Sequence, residues 1–359
     1  MNALTDSVYM ARALGLARCG MQTTHPNPRV GCVIVLGDRV VGEGFHERAG
    51  EPHAERLALQ EAGALARGAT AYVTLEPCCH VGRTPPCTEA LLAAGIVRVV
   101  AAMEDPDPRV QGEGFAALRA AQVAVDVGLM RDEAHQLNRG FISRLTRNAP
   151  FVSAKVGASL DGRTALLNGD SQWITGVRAR ADVQALRAQS GAILTGMGTV
   201  RFDDPHLTVR HPAVRQPLRV VVDSGLALSP TARLVTEPGE LVVFTVAEGP
   251  NAEALRAAGV RVVAVGGAAH AVDLRAVMAE LAGLGINDLL VEAGPTLLAS
   301  LLHDQLIDEL ILYMAPVLIG SGRPIADFTI PALDQQICWR YEEVRRVGHD
   351  LRITLTREI

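Results

Sequence analysis

His53-Ala54-Glu55, followed by Glu76-Pro77-Cys78-Cys79-His80-Val81-Gly82-Arg83-Thr84-Pro85-Pro86-Cys87, is the stretch on which the reading of this chain turns. Imidazole and thiolate together suit zinc, and three protein ligands leave a fourth coordination position for water. A helix is expected to start near Pro52-His53 and to run through AERLALQEAG; TAYVTL then reads as a strand that ends at Glu76. A second helix, TEALLAAG, opens beside Cys87. A histidine at one helix start and a cysteine at the next can converge on one ion. Cys78 and Cys79 both offer a sulfur, and the place of Cys78 directly after Glu76-Pro77 favours it. Two other readings stand beside this one: core thiols, or a closed structural zinc completed by His80.

Glu55 lies two residues beyond His53, in the first turn of the same helix, beside the metal's water without needing to ligate it. Zinc brings the pKa of such a water toward about 7. Glu55 would take that proton and pass it to a ring nitrogen and then to a leaving amine. This is the working arrangement of zinc deaminases, whose signature is H-x-E followed by P-C-x-x-C. The second cysteine stands nine positions after the first, not three, which lengthens a loop without moving a helix start. Nearby, HPNPRVG (25–31) holds Asn27 between two prolines, and an amide offers a donor and an acceptor to an amino-pyrimidine edge. His46 ends a strand, and Arg83 in the long loop is suited to a phosphate.

Outward from this centre, residues 29–46 read as a hairpin about Gly37-Asp38, and strands alternate with helices as far as Arg147. That pattern implies a three-layer α/β domain with a largely parallel sheet. Asn148-Ala149-Pro150 is the expected boundary, giving domains 1–147 and 148–359. Beyond it the pattern restarts with the strand FVSAKVG and the helix VRARADVQALRAQSG, and the last strands look antiparallel. A G-x-G-x-x-G fingerprint is absent. Gly294-Pro295-Thr296, at a strand-to-helix turn in VEAGPTLLAS, reads equally as an anion site or an ordinary turn.

The 359 residues are 48% hydrophobic and only 4% aromatic, with net charge −5, so neither a nucleic-acid footprint nor an editing deaminase's basic groove is expected. The intact Glu55 and open ligand set weigh against a zinc-stabilised binding module without turnover. The apolar stretch Leu310–Gly320 is well short of the roughly 18 residues that a membrane span needs. Lys155 is the single lysine among 34 basic residues. A position that stays lysine in such a background suits a compact ammonium.

Taken together, HPNPRVGCVIV, GEPHAE, TLEPCCHVGRTPPC, KVGASLDGRTA, SQWIT, DDPHLTVR and VEAGPTLLASLL resemble the bifunctional riboflavin-biosynthesis deaminase–reductases over nearly the whole chain. The resemblance implies an N-terminal cytidine-deaminase-like domain and a C-terminal α/β domain similar to dihydrofolate reductase. It implies zinc-dependent deamination of a phosphoribosylamino-pyrimidine, then NADPH reduction of its ribosyl chain to ribityl. Carried over, His53, Cys78 and Cys87 look like zinc ligands and Glu55 the proton carrier. Asn27, His46 and Arg83 fall at pyrimidine or phosphate positions, Arg83 standing where lysine is common. Gly157, Trp173, Thr199, Asp203, Ser224, Gly294, Pro295, Thr296, Leu297, Leu298, Ala299 and Ser300 fall at NADPH. Ser171, Arg187, Leu207, Arg210 and Glu292 fall at the substrate, with Lys155 their neighbour. A cytoplasmic homo-oligomer acting on a small phosphorylated pyrimidine is expected.

Overall fold

The computed structural model of the chain describes residues 3–80, 85–210, 215–266 and 271–357. They fall into two compact units, Met1–Arg147 and Asn148–Ile359.

In the first unit the order is α1 (Ala3–Cys19), β1 (Gly31–Leu36), β2 (Arg39–Phe45), α2 (Ala54–Ala62), β3 (Thr70–Val73), α3 (Cys87–Ala93), β4 (Arg98–Ala101), α4 (Glu113–Ala120), β5 (Ala124–Val127), α5 (Arg131–Leu137) and α6 (Arg139–Arg147). Side chains alternate across a strand, so β1 feeds two cores. Cys32 and Ile34 join α2, α3 and α4 on one face; Val33 and Val35 join α1 and α5 on the other. The three layers follow from that alternation.

The sheet order is β2-β1-β3-β4-β5. β1 is antiparallel to both its neighbours, and the pairs β3–β4 and β4–β5 are parallel. The expected largely parallel sheet is therefore half antiparallel. A tight hairpin turn makes β2 antiparallel to β1. The crossover through α2 then carries the chain past β1, so β3 runs parallel to β2 with β1 between them. The β3 strand ends at Val73, not at Glu76, because β1 starts at Gly31, whose N–H bonds to Thr74 Oγ1 (3.1 Å).

A Cβ on Gly44 would come within 2.5 Å of the Ala54 carbonyl oxygen, and one on Gly42 within 2.1 Å of that of Ala58. Glycine here lets α2 lie directly on β2. This close approach fixes the place of His53, the cap residue of α2.

The second unit runs β6 (Phe151–Ser159), β7 (Arg163–Leu166), α7 (Val177–Gln189), β8 (Ala192–Gly196), α8 (Met197–Asp203), β9 (Leu218–Val222), α9 (Arg233–Thr236), β10 (Leu241–Thr245), α10 (Pro250–Ala257), β11 (Arg261–Ala264), α11 (Leu274–Gly283), β12 (Asp288–Val291), α12 (Pro295–His303), β13 (Glu309–Ala315), β14 (Gly322–Pro324), β15 (Trp339–Val347) and β16 (Asp350–Arg357). Its sheet order is β11-β10-β9-β8-β12-β6-β13-β16-β15. Pairing is parallel from β11 to β13, and antiparallel between β13, β16 and β15. Of the last strands expected to be antiparallel, β13 is so only toward β16. Strands β7 and β14 form a separate ribbon that the sequence pattern did not foretell.

The strand read as FVSAKVG runs on to Ser159, so Lys155 stands in mid-strand and not near its end. β13 pairs with β6 as far as Ser159, whereas β12 stops at Val291, opposite Ala154. Lys155 is thus the first residue of β6 past the end of β12, and it stands beside Glu292, where the chain leaves for α12.

Candidate active sites

In the first unit, ligand atoms of His53, Cys78 and Cys87 lie within 4.8 Å of one another. His53 Nδ1 is 3.6 Å from Cys78 Sγ and 3.3 Å from Cys87 Sγ. Tetrahedral zinc with ordinary bond lengths spaces sulfur and nitrogen ligands by about 3.5 Å. The donor set and its spacing therefore fit zinc. Hydrogen bonds from the Cys87 thiol and the His53 ring hold the Cys78 thiol well below its usual range, which favours the thiolate that binds metal. Cys79 turns away to the Arg109 carbonyl (3.9 Å), and His80 is outside the cluster found among the described residues. Glu55, only 3% exposed, lies against this group, and burial pushes its carboxyl above the usual range.

His46 Nδ1 donates to the Pro52 carbonyl (3.1 Å), so its Nε2 is left to accept from the Asn27 amide (3.0 Å). Burial lowers the His46 pKa, which agrees with this neutral ring. The ring meets that of His53 edge-on at 5.4 Å, bringing Asn27 and His46 to the metal group. Sequence reasoning missed what holds Asn27 there. Asn138 clamps the Arg29 backbone with both ends of its amide, accepting from Arg29 N (2.7 Å) and donating to Arg29 O (2.9 Å). The pair is 109 positions apart, so no local spacing betrays it. Arg83 lies outside the described residues.

The second unit holds a cavity of about 1220 Å³ above the ends of β8, β9 and β12. Lys155, Ser171, Arg187, Leu207, Arg210 and Glu292 all border it. So do Gly157, Trp173, Thr199, Asp203, Ser224, Gly294 to Leu297, Ala299 and Ser300. Leu298 is the exception, since its side chain is buried in the main core. Glu292 bonds Lys155 Nζ at 2.9 Å and Arg187 Nε at 2.6 Å. Burial alone would raise its carboxyl, but the two cations overcome burial and bring it to about 2. The α12 helix opens at Gly294 with no side-chain cap, so its first N–H groups are left for an anion. Sequence reasoning also missed two stacked arginines at the cavity: Arg180 lies over Trp173 (4.3 Å) and Arg323 over Phe202 (4.0 Å).

The family model of the cytidine and deoxycytidylate deaminase zinc-binding region matches residues 4–103, and that of the RibD C-terminal domain matches residues 150–353. The riboflavin biosynthesis protein RibD of Escherichia coli K12 is 49% identical over 369 residues, 98% of this chain and 99% of its own length. That of Haemophilus influenzae is 43% identical over 98% of this chain and 97% of its own. Among solved structures, Acinetobacter baumannii RibD superposes with a TM-score of 0.94 at 42% identity, covering 100% of both chains. A Thermotoga maritima protein described as a diaminohydroxyphosphoribosylaminopyrimidine deaminase/5-amino-6-(5-phosphoribosylamino)uracil reductase gives 0.89 at 32% identity, covering 99% of both.

Proposed function

The chain belongs to the RibD family of riboflavin biosynthesis, which joins a zinc-binding deaminase domain to a reductase domain, and on that premise we propose its substrate and the residues that act on it. Residues 1–147 deaminate 2,5-diamino-6-(5-phosphoribosylamino)pyrimidin-4(3H)-one. Residues 148–359 then use NADPH to reduce the ribosyl chain, giving 5-amino-6-(5-phosphoribitylamino)uracil. The name of the Thermotoga maritima relative supports both steps. The observation that carries the first is the meeting of His53 Nδ1 with two sulfurs beside a buried carboxyl.

His53, Cys78 and Cys87 would hold zinc, which would lower the pKa of a bound water toward about 7. Glu55 accepts one proton from the attacking water and gives it to the ring nitrogen, then takes the second from the hydroxyl thus added to the ring and gives it to the departing amine. Asn27, oriented by His46, meets the pyrimidine edge, and Arg83 takes the phosphate. In the second unit NADPH supplies the hydride. Gly294 to Leu297, Ala299 and Ser300 at the start of α12 would hold its phosphates, while Gly157, Trp173, Thr199, Asp203 and Ser224 would complete its site. Lys155, Ser171, Arg187, Leu207, Arg210 and Glu292 align the sugar carbon, since hydride transfer depends mainly on alignment.

The protein works in the cytoplasm as a homo-oligomer. Tyr341, Val344 and Leu351, which leave an apolar face on β15 and β16, support the association of copies. Incubation with the pyrimidine phosphate tests the reading. Ammonia should appear without NADPH, and NADPH should be consumed only once deaminated product exists. NADPH oxidation ahead of any ammonia would refute that order.

A further inference from the structure

The metal-site loop carries a second buried carboxylate, Glu76, two residues before Cys78, and its bonds lead away from the cluster. Glu76 is 3% exposed. Its Oε2 accepts the N–H groups of Asp105 (3.2 Å) and Gly112 (3.0 Å), and its Oε1 that of Phe115 (3.1 Å). Gly112 is the cap residue of α4 and contributes no capping side chain. Glu76 therefore caps α4 from 36 positions upstream.

One residue further on, the Pro77 carbonyl oxygen lies where a Cβ on Gly114 would come within 2.2 Å. The first turn of α4 thus rests directly on the peptide that delivers Cys78. On its other side Cys78 is tied to α3. Its carbonyl accepts from Thr88 N (3.2 Å) and Thr88 Oγ1 (3.3 Å), and its Sγ accepts from Cys87 N (3.4 Å).

We propose that Glu76 is a positioning residue of the metal centre, setting the place of the Cys78 sulfur by locking Glu76-Pro77 to the first turn of α4. The inference rests on the reading of His53, Cys78 and Cys87 as that centre. A second proton carrier is the rival role for a carboxylate here. Three backbone N–H groups already occupy both oxygens, which leaves a positioning role. Groups that orient a ligand without touching the metal change metal affinity by roughly 10- to 100-fold when removed.

The test uses the full chain as wild type, Glu76→Gln and Gly114→Ala, each loaded with zinc and, separately, with cobalt(II). Glutamine keeps the shape but sets an NH2 against backbone N–H groups; the methyl added at Gly114 pushes the Pro77 peptide off the first turn of α4. Both variants should shift the cobalt–thiolate absorption and lose metal to a chelator at least 10-fold faster. Deamination kcat should fall with its pH profile unmoved, and NADPH-dependent reduction should persist. If Gly114→Ala does not fold, the isosteric Glu76→Gln decides alone. A wild-type cobalt spectrum and chelator resistance in Glu76→Gln would overturn the inference. So would a displaced pH profile with an unchanged spectrum, since that marks a proton carrier. Absence of metal from the wild type would instead overturn the metal centre itself.

Discussion

Glu292→Gln should unfold the second unit at a markedly lower temperature. Glu292 is 8% exposed, and its oxygens bond Lys155 Nζ at 2.9 Å and Arg187 at 2.6 and 3.0 Å. Its carboxyl stands at about 2 against an ordinary 4.5. A displacement of that size corresponds to about 3 kcal/mol at neutral pH. Glutamine leaves two enclosed cations without their counter-charge, and removing one partner of a buried pair typically costs about 3–5 kcal/mol. The two routes agree. For a unit of this size, roughly 2–4 °C per kcal/mol gives a Tm lowered by about 6–12 °C.

The folded-state value lies below the unfolded one, so the stabilisation is complete above an ordinary 4.5 and fades as pH falls through about 2. The gap between wild type and variant should hold steady at neutral pH and narrow in acid. Both tryptophans, Trp173 and Trp339, belong to the second unit, so their fluorescence follows its unfolding without signal from the first. Equal Tm values at pH 7, or a gap that widens in acid, would refute the reasoning.

Three further outcomes are expected. Glu55→Gln should keep about one zinc per chain while deamination falls by at least 10²–10⁴-fold, measured as ammonia release beside metal analysis; loss of the metal would show that Glu55 is a ligand. Cys78→Ser should lose zinc and deamination together, whereas Cys79→Ser, whose sulfur points to the Arg109 carbonyl, should keep both; the reverse result would exchange the two assignments. Lys155→Arg should retain fold, NADPH binding and deamination but slow reduction by about tenfold or more, because losing one charge-assisted contact costs about 1.5–3 kcal/mol. Wild-type reduction kinetics would remove Lys155 from the site.

The first site was legible because its chemistry is local in the chain. His53 and Glu55 share one turn, and Cys78 and Cys87 close a single loop onto a helix start. What stayed hidden joins distant segments. Asn138 meets Arg29 across 109 positions, and Glu76 meets Phe115 across 39. Nothing in local periodicity marks either pair. The hairpin was readable from its turn, yet the antiparallel place of β1 followed from a crossover whose landing side periodicity does not encode. In the second unit the site is spread along the chain, because the cavity gathers strand ends and loops from Lys155 to Phe328. The lone lysine was the strongest local signal, and even there β6 ran on past the expected end because β13 keeps pairing with it.

Glu55 and Glu292, both buried, show why burial alone does not assign a role. Around Glu55, burial is the largest influence and raises the carboxyl above its ordinary range. Around Glu292, burial likewise raises the carboxyl, but Lys155 and Arg187 hold it at about 2. With that value, only about one in 10⁵ copies is protonated at pH 7, too few for a proton carrier. A carboxylate so held fixes the positions of Lys155 and Arg187 at the cavity wall. Two glutamates, one in the first turn of α2 and one just past the end of β12, are thus divided by their neighbours into the proposed proton carrier and a fixed anion. The division also explains the contrast between the two substitutions. Glu55→Gln should remove turnover and leave the fold, whereas Glu292→Gln should weaken the fold because it strips two enclosed cations of their partner.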